Sequence, residues 1–221
     1  MFETHTLHPD QIRDITPEAL DENGRLRVLP TAFWQTTTPQ ERALFGHRHG
    51  LYSFPTVELV EYLRENIGDR PAIEIGAGHG VLAEALGIPA TDNRMQEMPR
   101  YRGIYEAARQ PTVPYGPNIV NCSAQEAVRR YQPAVVIGCW VTHRYDPRRH
   151  AAGGNEIGVD EADILRNCAE YVVIGNERVH QHKEIWNRRH AIGYPEFLYS
   201  RAQNGTPDFL AVWSGHKKPR R

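Results

Sequence analysis

No stretch of this chain is apolar for long enough to cross a bilayer. The longest uninterrupted run, AVVIGCWV at 134–141, has eight residues, where a spanning helix needs about 20. The N-terminus, MFETHTLHPDQIRD, lacks the apolar core that a secretory signal carries. Cysteine is scarce: Cys122, Cys139 and Cys168 are odd in number and form no CxxC pair, which argues against a disulfide framework or a zinc ribbon. Charge bias is missing too. With 26 Lys and Arg against 27 Asp and Glu the formal net charge is −1, so nothing global draws the chain to nucleic acid. These absences lead to the expectation of a soluble, reduced, cytoplasmic protein with no membrane partner.

What is present fits one domain with a decorated terminus. The chain has 221 residues, 40% of them hydrophobic, which is enough to bury a core. Residues 1–55 are rich in Pro, Thr, His and Gly and read as a leader or lid with short helices: TPEALDENGRL (16–26) with Thr16 as cap, and TPQERALFG (38–46) with Gly46 as stop. PTVELVEYLRENIG (55–68) carries the apolar stripe of an amphipathic helix and a terminating glycine.

From residue 71 the pattern changes to strands and helices in alternation. AIEIG, IPATD (88–92), NIVNC (118–122), AVVIGCWV and EYVVIGNERV (170–179) read as strands. VLAEALG (81–87), SAQEAVRRY (123–131), DEADILRNC (160–168) and HKEIWNRRH (182–190) read as helices, the second opening on a Ser123–Glu126 capping box. The stretch that follows IPATD, up to 117, is long and poorly periodic and reads as helix and loop. EFLYSRA (196–202) and DFLAVWSG (208–215) read as two strands with no helix between them, joined by QNGTP, so they must pair antiparallel. The expected fold is α/β: a doubly wound, mostly parallel seven-stranded sheet with an antiparallel C-terminal hairpin, over residues 56–215. A basic tail, 216–221, follows.

The most informative segment is AIEIGAGHG at 72–80. In an open parallel sheet, ligands bind beyond the carboxyl ends of the strands. Gly76, Gly78 and Gly80 let the backbone turn sharply there and let a ligand approach it. A dinucleotide fold would place GxGxxG in this turn, but the third glycine position holds Val81. A carboxylate at Glu74 would repel a pyrophosphate and suit a ligand bearing a cation and hydroxyls.

EIGAGHG resembles the first motif of the class I S-adenosylmethionine-dependent methyltransferases, and the strand order with its closing hairpin resembles theirs over about residues 56–215. The resemblance implies S-adenosylmethionine as cofactor. It implies that Gly76, Ala77 and Gly78, with Gly80 closing the motif, pass under its methionine and ribose, and that Glu74 faces its amino end. It implies further that Asp92, or its neighbour Asn93, accepts from the ribose hydroxyls, that Ser123 and Ala124 hold the adenine, and that Trp140 lies near the methyl group or the adenine. The family's nucleic-acid amino methylases carry N/D-P-P-Y/F after the fourth strand, where this chain has CWVTHRYDP; a small-molecule acceptor is therefore expected, and its identity is not given.

Candidates for chemistry follow the fourth and fifth strands. In CWVTHRYDPRRH, His143 is a candidate base oriented by Asp146, and Arg144, Arg148 and Arg149 would hold an anionic or polar acceptor. After the fifth strand, Glu177 and His180 are candidates for the substrate pocket. His180 and His182 would share a side only on an extended segment, and the pattern reads as helical, so no metal is expected. In the leader, Tyr52, Phe54 and Thr56 are candidates to touch the methionine end. Two rival readings stand beside the methyltransferase: a methyltransferase-like binding protein without turnover, and a nicotinamide-dependent oxidoreductase.

Overall fold

The structure, a computed structural model, describes residues 11–216. The first ten residues of the leader, and the basic tail from 217 on, lie outside the described residues. Seven strands form one sheet: β1 (Ala72–Ile75), β2 (Ala90–Asp92), β3 (Ile119–Asn121), β4 (Val135–Cys139), β5 (Glu170–Asn176), β6 (Ala191–Gly193) and β7 (Asp208–Ser214), in the order β3-β2-β1-β4-β5-β7-β6. The first five run parallel, and β7 lies antiparallel between β5 and β6. The expected fold class is the one observed.

Period-2 alternation divides the strands' side chains between two cores. Ile73, Ile75, Val136, Tyr171 and Val173 point to one face, covered by α7 (Ala124–Tyr131) and α8 (Glu161–Asn167). Ala72, Val135, Ile137, Val172 and Ile174 point to the other, where Leu59, Val60 and Leu63 of α4 (Val57–Ile67) and Leu82 of α5 (Val81–Leu86) cover them. Residues 11–55 carry α1 (Thr16–Ala19), α2 (Thr31–Gln35) and α3 (Pro39–Arg48) around a third cluster centred on buried Trp34, which reaches the main domain through Val81. Trp34 stacks on Phe54 with ring centroids 4.7 Å apart.

The local departures from the sequence pattern have physical causes. The segment 196–202 belongs to no strand of the sheet: Glu196 and Phe197 lie in a turn closed by Leu198 N–H on Pro195 O, and only Ser200 forms a bridge. It pairs with the leader: Phe54 N–H donates to Tyr199 O (2.9 Å) and Arg201 N–H to Tyr52 O (3.1 Å). The sixth strand is formed instead by Ala191–Gly193, and the Asn204-Gly205 pair turns inside a longer connection. β5 ends at Asn176, short of 179, because the Asn176 side chain accepts from Val179 N–H and starts α9 (Glu177–His180). The helix expected over 182–190 contracts to a 3-10 turn at Glu184–Asn187. Gly46 does not stop α3 but lies within it, where a Cβ would stand 2.6 Å from that of Arg201. Thr16 opens α1 as its first helical residue, its N–H capped by Asp14. Helix α2 carried no signal that the sequence reading used. α6 (Pro99–Ala107) lies in the poorly periodic stretch and edges the site.

Candidate cofactor site

A cleft of about 180 Å³ opens beyond the C-terminal ends of β1, β2 and β4. Glu74, Gly76, Ala77, Gly78, Asp92, Asn93, Ala124 and Trp140 line it, so most of the residues expected around a cofactor are brought together. The turn after β1 is left-handed at Gly76 (φ +58°) and Gly78 (φ +54°), a region that costs other residues about 1–2 kcal/mol. A Cβ at Gly76 would stand 2.8 Å from Val141 Cγ1, and one at Gly78 3.1 Å from Val113 Cγ1.

Three side chains occupy the backbone donors of this turn. Glu74 Oε2 accepts from Ala83 N–H at 2.9 Å, Asp92 Oδ2 from Gly78 N–H at 3.0 Å, and His79 Nδ1 from Val81 N–H at 3.2 Å. Glu74 is 2% exposed, and burial pushes its carboxyl up to about 8 against the pull of the Ala83 N–H. Burial also raises Asp92, opposed by the N–H groups of Gly78 and Arg94. His79 belongs to the turn as a helix cap: burial lowers it to about 4, and its ring also bonds the Ser53 backbone. Among the described residues, no Lys or Arg lines the cleft. Asn93 lines it too, but its amide is committed to Ile157 O and Met95 N–H; the strand-ending acid is Asp92.

Part of the cleft wall is aromatic. Trp140 follows β4 with φ +58°, rare for a bulky residue, and its ring lies 6.1 Å from that of Tyr52. Tyr105 of α6 completes that wall. Ser53 Oγ and Cys139 Sγ share a hydrogen bond at 3.1 Å, and burial pushes the Cys139 thiol up to about 12, so it is no thiolate nucleophile near neutral pH. Of the three leader residues named above, Tyr52 lines the cleft. Phe54 instead packs on Trp34, and Thr56 caps α4 and donates to Phe197 O.

Other expected site residues lie elsewhere. Gly80 (φ +75°) starts α5 outside the cleft, and a Cβ there would strike Ile119 at 2.4 Å. Ser123 is absorbed by its capping box with Glu126 and does not line the cleft, whereas Ala124 and Gln125 do. His143 and Asp146 form no dyad. Asp146 binds the Arg148 N–H, Nε and Nη2 at 3.0–3.1 Å, and His143 turns into a separate cavity, where burial and the Lys183 and Arg149 charges lower its pKa. Glu177 accepts from Tyr194 O–H at 2.6 Å, away from the cleft. His180 is 5% exposed, bonded through Nδ1 to the Asn176 backbone and lowered to about 4 by burial; it packs behind Trp140 at 5.4 Å. The signals available for Asp146 and Ser123 were those of turn and helix starts. Gln96, Tyr105, Val113 and Tyr115, which close the cleft, carried no motif.

No family model matches the chain, and no curated protein matches it. Solved structures do. WbdD is 13% identical, with 73% of this chain and 39% of that chain covered and a TM-score of 0.39. The SAM-dependent methyltransferase from Agrobacterium tumefaciens is 11% identical, with 72% and 61% covered and a TM-score of 0.36. The METTL16 methyltransferase domain is 15% identical, with 74% and 85% covered and a TM-score of 0.37. The chain spans 39% of WbdD and 61% of the Agrobacterium protein. No helix among the described residues is long and apolar enough to cross a membrane. The strand order, with β7 antiparallel between β5 and β6 and the glycine turn at the end of β1, gives this chain a class I methyltransferase-like fold.

Proposed function

We propose that this protein is an S-adenosylmethionine-dependent methyltransferase. One observation carries the reading: Glu74, His79 and Asp92 already hold the backbone donors around the start of α5. A pyrophosphate needs such donors free, and here it would meet two buried carboxylates and, among the described residues, no Lys or Arg. A ligand with an ammonium, a sulfonium and a sugar diol meets complementary groups instead. Glu74 and its neighbourhood would take the cationic end, Asp92 the ribose hydroxyls, and Ala124 the base. Bound there, the cofactor supplies an electrophilic methyl group. The chain's own part is alignment: the Gly76–Gly78 turn sets the cofactor's depth, while Tyr52, Tyr105 and Trp140 shape the space for the acceptor and keep water out.

Calorimetry tests the choice of cofactor. S-adenosylhomocysteine is expected to bind, and NAD to give no measurable heat. Tighter binding of NAD would sink the methyltransferase reading.

Gly78→Ala tests the path of the ligand. The new Cβ sits in a left-handed residue and presses on Val113, so the fold is expected to lose about 1–2 kcal/mol while the S-adenosylhomocysteine Kd rises at least about tenfold. Alanine is preferred to valine because a β-branched residue at this φ would strain the backbone further. An unchanged Kd with the expected loss of stability would mean that the ligand does not cross this turn.

A further inference from the structure

The arginines after β4 are committed within the chain. Arg148 pairs with Asp146 (3.1 Å), Arg149 with Glu184 (3.5 Å) and Arg144 with Asp160 (3.8 Å). Arg42 of α3 and Arg201 differ. They line a surface depression of about 1140 Å³ between α3 and the segment 198–208, and no described residue lines both this depression and the cofactor cleft. Among the described residues, no carboxylate forms an ion pair with either arginine.

Each guanidinium is seated on a tyrosine ring. The guanidinium carbon of Arg201 lies 3.7 Å from the centroid of Tyr52, and that of Arg42 lies 5.3 Å from the centroid of Tyr199. Both arginines are half-buried. Stacking on a ring offsets part of the cost of shielding a charge from water, and a shielded charge favours an opposite one beside it.

Contacts outside the depression fix both side chains. Arg42 Nη1 donates to Thr37 O (2.7 Å), Thr37 Oγ1 (2.9 Å) and Trp34 O (3.4 Å), so that arm is spent on the end of α2. Tyr199 beneath it stacks on buried Trp34, with centroids 6.1 Å apart. Arg201 N–H donates to Tyr52 O (3.1 Å), and glycine at 46 leaves room for the Arg201 Cβ. A carboxylate also lines the depression, that of Asp208, but its Oδ1 accepts from Ser200 Oγ (3.0 Å) and Asn176 Nδ2 (3.1 Å). Two guanidinium charges against this carboxylate leave the depression positive.

We propose that the depression is a second binding site, for an oxyanion: a phosphate or carboxylate group held by the Arg201 fork and the remaining N–H groups of Arg42. The site is independent of the cofactor cleft and of the methyltransferase reading. Guanidinium forks already seated on rings lose little freedom on binding, and their planar donors match two oxygens of one group.

The test is calorimetry of the full chain with inorganic pyrophosphate and, separately, with citrate, at an ionic strength of about 0.1 M so that distant surface charges are screened. At least one probe is expected to bind with a Kd below about 1 mM, and the tighter of the two names the oxyanion. Arg201→Gln should raise that Kd about tenfold, and Arg201→Lys, which keeps stem and charge but loses the fork, by less. Should Arg201→Gln fail to fold, a raised Kd in Arg201→Lys carries the test. Arg130→Gln is the comparison: Arg130 also lies over a tyrosine, 5.5 Å from the Tyr131 centroid, but it is exposed on α7, and its loss should leave the Kd within about twofold. No measurable heat from either probe, a Kd that the Arg201 variants leave unchanged, or one that Arg130→Gln raises as much would show solvated surface and overturn the proposal.

Discussion

Replacing Glu74 with glutamine is expected to raise the Kd for S-adenosylhomocysteine about 100-fold, and at the same time to raise the melting temperature of the unliganded protein at pH 8. The two effects have one origin. Glu74 sits in an apolar strand, and burial lifts its carboxyl from the ordinary 4.5 to about 8. The folded chain therefore keeps this proton where the unfolded chain has released it. Stability from Glu74 is fully present below about pH 4.5 and is lost as pH rises to about 8, at up to roughly 1.36 kcal/mol per unit. Asp92 is also raised by burial and adds a slope of the same sign. Glutamine can still accept from Ala83 N–H and has no proton to lose, so the variant's advantage should grow from pH 4.5 to 8. The ligand calls for the ionised form: a cation beside Glu74 repays the burial of its charge, and its loss costs on the order of 3 kcal/mol. Affinity of the native protein should accordingly improve with pH up to about 8. Melting curves across that range, with calorimetry at each end, decide the matter. A variant no more stable than the native protein at pH 8, or one that binds as tightly, would show that Glu74 is not a buried acid awaiting a cation.

That Glu74 belongs to the site was legible because a carboxylate in the run AIEI breaks the pattern of a buried strand and has to be used for something. Asp92 was legible through its strand end, and the Ser123–Glu126 capping box through spacing alone, because a cap is a contact three residues long. What sequence could not supply were contacts between distant segments. EFLYSRA carries strand-forming residues, but nothing in it says that its partner is the leader at 52–54 rather than the sheet, and the placement of Arg201 against Tyr52 depends on that pairing. His143 and Asp146 sit three residues apart, a spacing that invites a dyad. Asp146 followed by Pro147 is equally a turn start, and the local bonds to Arg148 won because they cost no loop ordering. His180 was chosen for its chemistry, yet the Asn176 cap folds it back into the core.

The largest loss of stability is expected from Lys183→Met. Lys183 Nζ lies 2.8 Å from Glu161 Oε1, with side-chain exposures of 0% and 6%, and Tyr171 O–H also reaches that oxygen at 3.4 Å. The pair ties the chain after α9 to the start of α8. Removing one partner leaves the other as an uncompensated buried charge, which typically costs about 3–5 kcal/mol, or roughly 6–20 °C in Tm for a domain of this size. Such a loss measures the stranded carboxylate rather than the worth of the pair. Adding Glu161→Leu should therefore restore most of the stability, since apolar replacements of buried pairs are often neutral. Neither residue lines the cleft, so the double variant should bind S-adenosylhomocysteine within about twofold of the native protein. Denaturant melts of the single and double variants give the first answer, and calorimetry the second. A double variant as unstable as Lys183→Met would mean that the pair's geometry is what docks this segment, and a stable double variant that no longer bound the ligand would mean that the segment after β5 reaches the cleft through this pair.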